Sequence, residues 1–392
     1  MQIPSSYQPG YKEALLTDPD LAKTYIQHIL IGDPDADALI NGLAGIDEKQ
    51  QAEFIRAGMD LDEEVLRDAP QVVQEFFEKI GTPPAWFDPQ SVYPGCRGFH
   101  AYSDLFLTAF VADIIIRGFT TLISQSFFIT GRLTDWGVRR LRQNIRHLLE
   151  IMLPGGLERH GEGWKLSVRL RLVHAQVRRH LIASEDWDHE AHGMPISAAH
   201  VALASCNFSG MMLHSAARIG ARLTDEERDS FMKIWRYTAH LMGVPEALLF
   251  SNETEAREIF RVGYICEPPP GLEAIAMANS VIASAPLVIG LEDRDERDEL
   301  SNYGYRLSRS LLGDELADQL MFPNDRTAGA GTLAYLRLRC RIQEIIDAFR
   351  WGKIPRQRGR NFMTLLDISM LDEDLISYRL PNRLHADAAS RW

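Results

Sequence analysis

Cysteine is scarce and unpatterned. Its four copies, Cys96, Cys206, Cys266 and Cys340, lie far apart, with no CxxC or other metal spacing. They read as isolated buried thiols in a reducing compartment. No P-loop and no GxGxxG occurs, so nothing points to a nucleotide, and the HExxH spacing is absent too. The opening MQIPSSYQPGYKEAL lacks a basic start followed by an apolar run and carries no twin-arginine signal, so a cytoplasmic location is expected. Basic residues are in the minority, 42 Lys and Arg against 54 Asp and Glu, for a net charge of −12. That argues against a general nucleic-acid binder and leaves room for a local basic pocket. Strand-type alternation and hairpin signals are nearly absent, and no internal repeat or low-complexity segment appears.

What is present is helical periodicity in a chain of 392 residues, 45% apolar and 24% charged, enough for a large core. The pattern predicts an all-α protein with one large helical domain over residues 36–380, an N-terminal arm over 1–35 and a tail over 381–392. Residues 81–98 are rich in turn formers and carry Trp86, Phe87 and Tyr93, which predicts a loop packed by its own aromatics. Residues 106–131 are the most apolar stretch and long enough for a membrane span. Asp113, Arg117 and Gln125 interrupt it, which favours a buried core helix able to line an apolar pocket. Residues 272–289 are apolar and rich in Ala and Ser, which favours tight helix packing. Residues 133–152 predict an amphipathic helix, N-capped by Thr134 or Asp135, with Arg140 and Asn144 one turn apart. The sequence TDEE at Thr224–Glu227 predicts a capped helix start, and GVP from Gly243 its stop. Residues 354–360 and the last dozen read as tail.

The central stretch is 165–181, KLSVRLRLVHAQVRRHL, with neither Gly nor Pro. Leu166, Leu170, Val173, Val177 and Leu181 recur at helical spacing. Arg171, His174 and Arg178 fall on a neighbouring face. His174 borders the apolar stripe, where burial and two nearby arginines favour its neutral form. A neutral, oriented imidazole is what a metal ion needs. The same spacing also suits a core histidine bonded to a carbonyl and flanked by arginines that snorkel to water. His189 and His192, spaced i, i+3 in a polar stretch, read as a surface cluster rather than a metal site.

Several segments together resemble the rubber oxygenases, also called latex clearing proteins, and the related MpaB-type oxygenases. RLVHAQVR from Arg171 resembles their signature helix, and RRLRQNIRHLLEIM from Arg139 their helix with Arg-x-x-x-Thr. GDPDADALI from Gly32, DAPQVVQEFFEKIGTPPAWFD from Asp68, GMPIS from Gly193, LTDEERDSFMKIWR from Leu223 and LMGVPEALL from Leu241 follow in the family's order. The resemblance implies a globin-like helical core holding a b-type haem, and an oxygenase using dioxygen on a hydrophobic small molecule such as an isoprenoid alkene. It implies His174 as the iron ligand, Arg171 and Arg178 as supports suited to haem propionates, and Arg140 with Asn144 on the dioxygen side. The chain departs from the family where a Lys–Thr pair gives way to Gln143–Asn144; Gln143 cannot act as a charged distal ligand, whereas the Asn144 amide can donate and accept. A non-catalytic haem carrier closed by a second axial ligand, His147, is the alternative. A cofactor-free helical scaffold is the third reading.

Overall fold

In the computed structural model, which describes residues 2–130, 137–349, 380, 381 and 384, every regular element among the described residues is helical. The first group of helices is α1 (Gln8–Thr17), α2 (Pro19–Ile29), α3 (Pro34–Gly42), α4 (Glu48–Asp60), α5 (Glu63–Leu66) and α6 (Gln71–Gly81). Next come α7 (Tyr93–Ala101), α8 (Ser103–Ala109), α9 (Ile115–Phe119), α10 (Ile123–Ile129), α11 (Gly137–Ile151), α12 (Glu162–Ile182) and α13 (His189–His192). The rest are α14 (Ala198–Cys206), α15 (Met212–Ile219), α16 (Asp225–Leu241), α17 (Glu253–Cys266), α18 (Leu272–Val288), α19 (Arg294–Leu312), α20 (Asp314–Gln319) and α21 (Arg326–Phe349). The all-α expectation is borne out.

Local chemistry sets many of the ends. Asp18 and Asp33 each accept backbone N–H bonds at the start of α2 and α3, with Pro19 and Pro34 at the first helical position, where a missing N–H costs nothing. Thr224 and Glu227 form a reciprocal capping box on α16, and Gly243 ends that helix at φ +82°. The expected cap of α11 at Thr134 or Asp135, and the tail at 354–360, lie outside the described residues.

Within the stretch set apart above as an arm, α1 and α2 pack against α17, with Tyr7, Tyr25, Ile26 and Ile29 fully buried. Residues 81–98 are a loop only in their first part. Helix α7 begins at Tyr93, with Pro94 in its first turn, and packs along α16. A Cβ on Gly95 would stand 2.6 Å from the Phe231 backbone nitrogen, so the glycine that resembles a turn former is a close-packing residue. The loop's aromatics pack on α16 as well as on each other: Phe87 stacks on Tyr237 at 3.6 Å, and Trp86 meets Tyr237 and His240 edge-on.

The apolar stretch 106–131 is not one helix. It divides into α8, a wider π turn (Phe110–Ile114), α9 and α10. Asp113 is completely buried and pairs with Arg117 at 2.7 Å. No single helix among the described residues is long and apolar enough to cross a membrane; the pair Pro89–Ala101 and Ser103–Phe119, bent by 83°, passes by length and composition only. The small residues of α18 admit α11 closely, since a Cβ on Gly137 would collide with Ser280 and Ser284. Helix α12 lies at the centre, packed by α3, α11 and α16.

Candidate functional site

Helix α12 is buried on more than one side: Trp164, Val168, Leu172 and Ala175 are as enclosed as Leu166, Val177 and Leu181 of the expected stripe. His174 sits near its middle. Among the described residues its Nδ1 is enclosed and has no hydrogen-bond partner. Burial, followed by the positive charges of Arg178 and Arg140 and by His147, pushes its pKa down to about 3. The ring is therefore neutral wherever the protein is folded near neutrality. It lines a cavity with Gly32, Asp33, Arg178, Met242 and Gly243 that has room for about one water, ≈ 10 Å³.

Neither Arg171 nor Arg178 snorkels to water. Arg171 grips Asp33 with two bonds, Nε to Oδ2 at 2.6 Å and Nη2 to Oδ1 at 2.8 Å. Arg178, almost wholly buried, gives Nε to Asp37 Oδ1 at 2.9 Å and Nη1 to the Ile196 carbonyl at 2.6 Å. The GDPDAD segment therefore supplies both counter-charges, and Asp33 caps α3 as well. This redirects the reading of the two arginines as propionate partners, because their charges are already met by carboxylates. The sequence carried a signal for it, an acidic run following Gly32, but not the pairing, which spans 138 and 141 residues. Glycines keep the approach open: a Cβ on Gly32 would stand 2.6 Å from Arg178 Nε, and one on Gly243 2.7 Å from Arg171 Nε.

Helix α11 packs against α12 and brings Arg140 and Asn144 to a second small cavity, ≈ 20 Å³, walled by Ile115, Phe119, Met277 and Val281. His147 on the same helix is buried and turned elsewhere: its Nε2 lies 2.9 Å from Ser167 Oγ. The Ser167 hydroxyl donates to the Gly163 carbonyl, so His147 Nε2 carries the proton and donates to Ser167. That commits the Nε2 of the residue that the carrier reading offers as second axial ligand. His192 Nδ1 lies 3.2 Å from Ser6 Oγ, and no cluster of three or more His, Cys, Asp or Glu fit for a metal exists among the described residues.

Two imidazoles held neutral, His147 in the core and the partly buried His174, are expected to make the protein acid-sensitive. In the unfolded chain both titrate near 6.5; in the folded chain burial holds His174 down to about 3 and His147 to about 4. Between those values the unfolded chain binds more protons, so stability rises with pH there. The contribution is complete above pH 6.5 and drains away as pH falls toward 4 and then 3. The midpoint of urea unfolding is expected to drop over that window, and less steeply in His147→Asn. Equal slopes in the two proteins would show that His147 is not held neutral.

The family model described as ER-bound oxygenase mpaB/B'/Rubber oxygenase, catalytic domain, matches residues 99–342. A stretch of 89 residues is 27% identical to the rubber oxygenase of Streptomyces sp. (strain K30), spanning 22% of this chain and 22% of that protein. The fold is similar to the structure of latex clearing protein LCP in the closed state, with a TM-score of 0.64 and 16% identity over 92% of this chain and 93% of that one.

Proposed function

Because this chain belongs to the MpaB and rubber oxygenase catalytic-domain family, we propose that it is a b-type haem-dependent oxygenase that acts with dioxygen on a hydrophobic small molecule. The observation that carries the reading is His174, a neutral imidazole in the central helix whose Nδ1 lacks a partner among the described residues. A lone imidazole suits an iron whose other ligands come from a macrocycle. The donor chemistry fits haem. The space beside His174 holds about one water, so a haem there would displace neighbouring side chains, of which unbranched Met242 would yield most readily.

When bound, the haem supplies the iron chemistry that makes dioxygen reactive toward a carbon–carbon double bond. The chain's own residues do the rest. His174 holds the iron from α12. The Asp33–Arg171 and Asp37–Arg178 pairs tie α12 to the segment around α3 and so hold the helix carrying the ligand. Arg140 provides a fixed positive charge and Asn144 an amide donor at one cavity. Ile115, Phe119, Met277 and Val281 wall that cavity with apolar surface, which excludes water and favours a substrate without charge.

The test is an absorption spectrum of the purified protein, before and after dithionite, with a pyridine haemochrome assay. One haem per chain with an open iron position supports the oxygenase; no uptake when haem is supplied refutes it. Arg140→Ala is expected to keep haem and shorten the lifetime of the oxygenated form by about 10²-fold, the scale for losing one preorganised charge-stabilising group. An unchanged lifetime would remove Arg140 from that role.

A further inference from the structure

A cavity of ≈ 360 Å³ opens between the end of α6, the loop that follows it and the turn joining α11 to α12. It is far larger than the cavities at His174 and Arg140 and shares no lining residue with them. Small-molecule pockets run from about 300 to 1,000 Å³. Pro83, Leu157 and Phe87, the last stacked on Tyr237, give this one apolar walls. Arg159 brings a cation to it.

Arg159 is held from behind. Its Nη1 donates to the Met59 carbonyl at 2.8 Å and its Nη2 to the Gly58 carbonyl at 2.6 Å, in the last turn of α4. Its guanidinium carbon lies 3.9 Å from the Trp164 ring centroid. Two carbonyls engage only two of the five N–H bonds that a guanidinium carries. Its Nε is enclosed and has no acceptor among the described residues, and the same holds for Trp164 Nε1 under it. Nor does a carboxylate pair with Arg159 among the described residues. Asp60, whose field reaches it, is bound to Lys165 at 2.7 Å. Burial, only partly offset by Tyr237 and Asp60, pushes the Arg159 pKa down, as befits a cation short of counter-charge. The Tyr237 hydroxyl adjoins both Arg159 and Trp164, and burial pushes its pKa up to about 12, so it remains a donor. Three donors thus converge beside one cavity, and two of them are enclosed without an acceptor, which a folded chain seldom leaves unanswered.

We infer that this cavity is a second binding site, for an apolar monocarboxylate: the carboxylate meets Arg159 and Tyr237, and the hydrocarbon body lies against Phe87, Pro83 and Leu157. A carboxylate matches the in-plane donors of a guanidinium and supplies the charge that Arg159 lacks. Asp88 and Glu158 stand at the mouth, both exposed. Solvent weakens their hold on the enclosed cation, yet they disfavour a doubly charged phosphate ester. Asp88 is also engaged locally, accepting the Gln90 N–H at 3.0 Å. The site does not rest on the haem reading, since neither His174 nor Arg140 takes part in it.

The probes are 3-phenylpropanoate and octanoate, with 3-phenylpropanamide as an uncharged counterpart, titrated calorimetrically into the full chain. One site per chain is expected, binding 3-phenylpropanoate at least about tenfold more tightly than the amide, the scale of a charge-assisted hydrogen bond. Arg159→Gln should erase that preference. Gly81→Leu should abolish binding of acid and amide alike, because Gly81 lines the cavity and a Cβ on it would stand 3.4 Å from Arg159 Nε, with no left-handed backbone to forbid a side chain. Arg140→Gln should bind the acid within about twofold of the native chain, as a substitution at a separate cavity should.

Three results overturn the inference: no saturable binding of either acid up to about 10 mM, native binding in Gly81→Leu, or loss of acid binding in Arg140→Gln. Arg159 also ties the end of α4, so Arg159→Gln is read only by its preference for acid over amide; if that variant does not fold, Gly81→Leu decides. Failure of the native chain to take up haem refutes the oxygenase reading and leaves these titrations unchanged.

Discussion

His174→Ala is expected to leave a folded protein that no longer retains haem. Alanine suits the interior of α12 better than histidine by helix propensity, and the neighbours Leu172, Ala175 and Val177 still pack. The ring's loss removes the iron ligand outright. Replacing only an outer-shell partner of a metal ligand typically costs 10–100-fold in affinity, so losing the ligand itself should cost more than about 100-fold. The haemochrome assay should read near zero while the helical circular dichroism is kept. Supplying imidazole to His174→Gly should restore part of the Soret band, because the free base can enter the space left by the ring. A variant that keeps an unchanged haem spectrum would disprove the ligand assignment. One further consequence concerns pH: without the neutral ring, His174→Ala should lose less stability than the native chain between pH 6.5 and about 3.

The second large effect is expected at Asp33. Its carboxylate and the Arg171 guanidinium are both nearly enclosed, with 11% and 9% of their side-chain surface exposed. Among the described residues, Asp33→Ala leaves Arg171 with the longer ion pair to Asp35 at 3.6 Å and the face of Phe76. Stranding one member of a buried pair typically costs about 3–5 kcal/mol, and the lost cap of α3 adds about 0.5–2 kcal/mol. The measurement is urea unfolding of Asp33→Ala, of Arg171→Met and of the double variant. The double variant should recover most of the loss, since it removes the charge that Asp33→Ala strands. A single-variant cost below about 1 kcal/mol would mean that solvent reaches the pair and that the GDPDAD segment does not hold α12. Because Asp33 also lines the cavity at His174, the same variants are expected to weaken haem retention in proportion to their instability.

Helix α16 shows what was legible without coordinates. Its capping box, its periodicity and its stop at Gly243 are local, and the structure reproduces them. Helix α12 was legible for the same reason, from 165–181 in the pattern to Glu162–Ile182 in the structure. The spacing that singled out His174 is also local, and burial with the charge of Arg178 favours its neutral form as the residue pattern implied, whereas the second charge comes from Arg140 on α11 and not from Arg171. The ordered motifs carried the family, and the match over 99–342 agrees with those from Arg139 onward.

What the chain conceals are partners distant in sequence. Pro94 and Gly95 look like turn residues until α16 lies against them. Residues 106–131 look like one helix until the π turn and the turn after α9 divide them. Arg171 and Arg178 look like surface or cofactor cations until Asp33 and Asp37 meet them. Helical periodicity is a property of neighbours three and four residues apart, so the chain alone determines where helices form and which faces are apolar. Which charge neutralises which, and which ring lies against Arg140, depends on side chains that only packing brings together, because ion pairs and ring contacts act over a few ångströms. The sequence by itself therefore determined an all-α chain of this family with His174 at its centre, and only the tertiary structure decided that two aspartates anchor its helix and that Phe127 lies against Arg140.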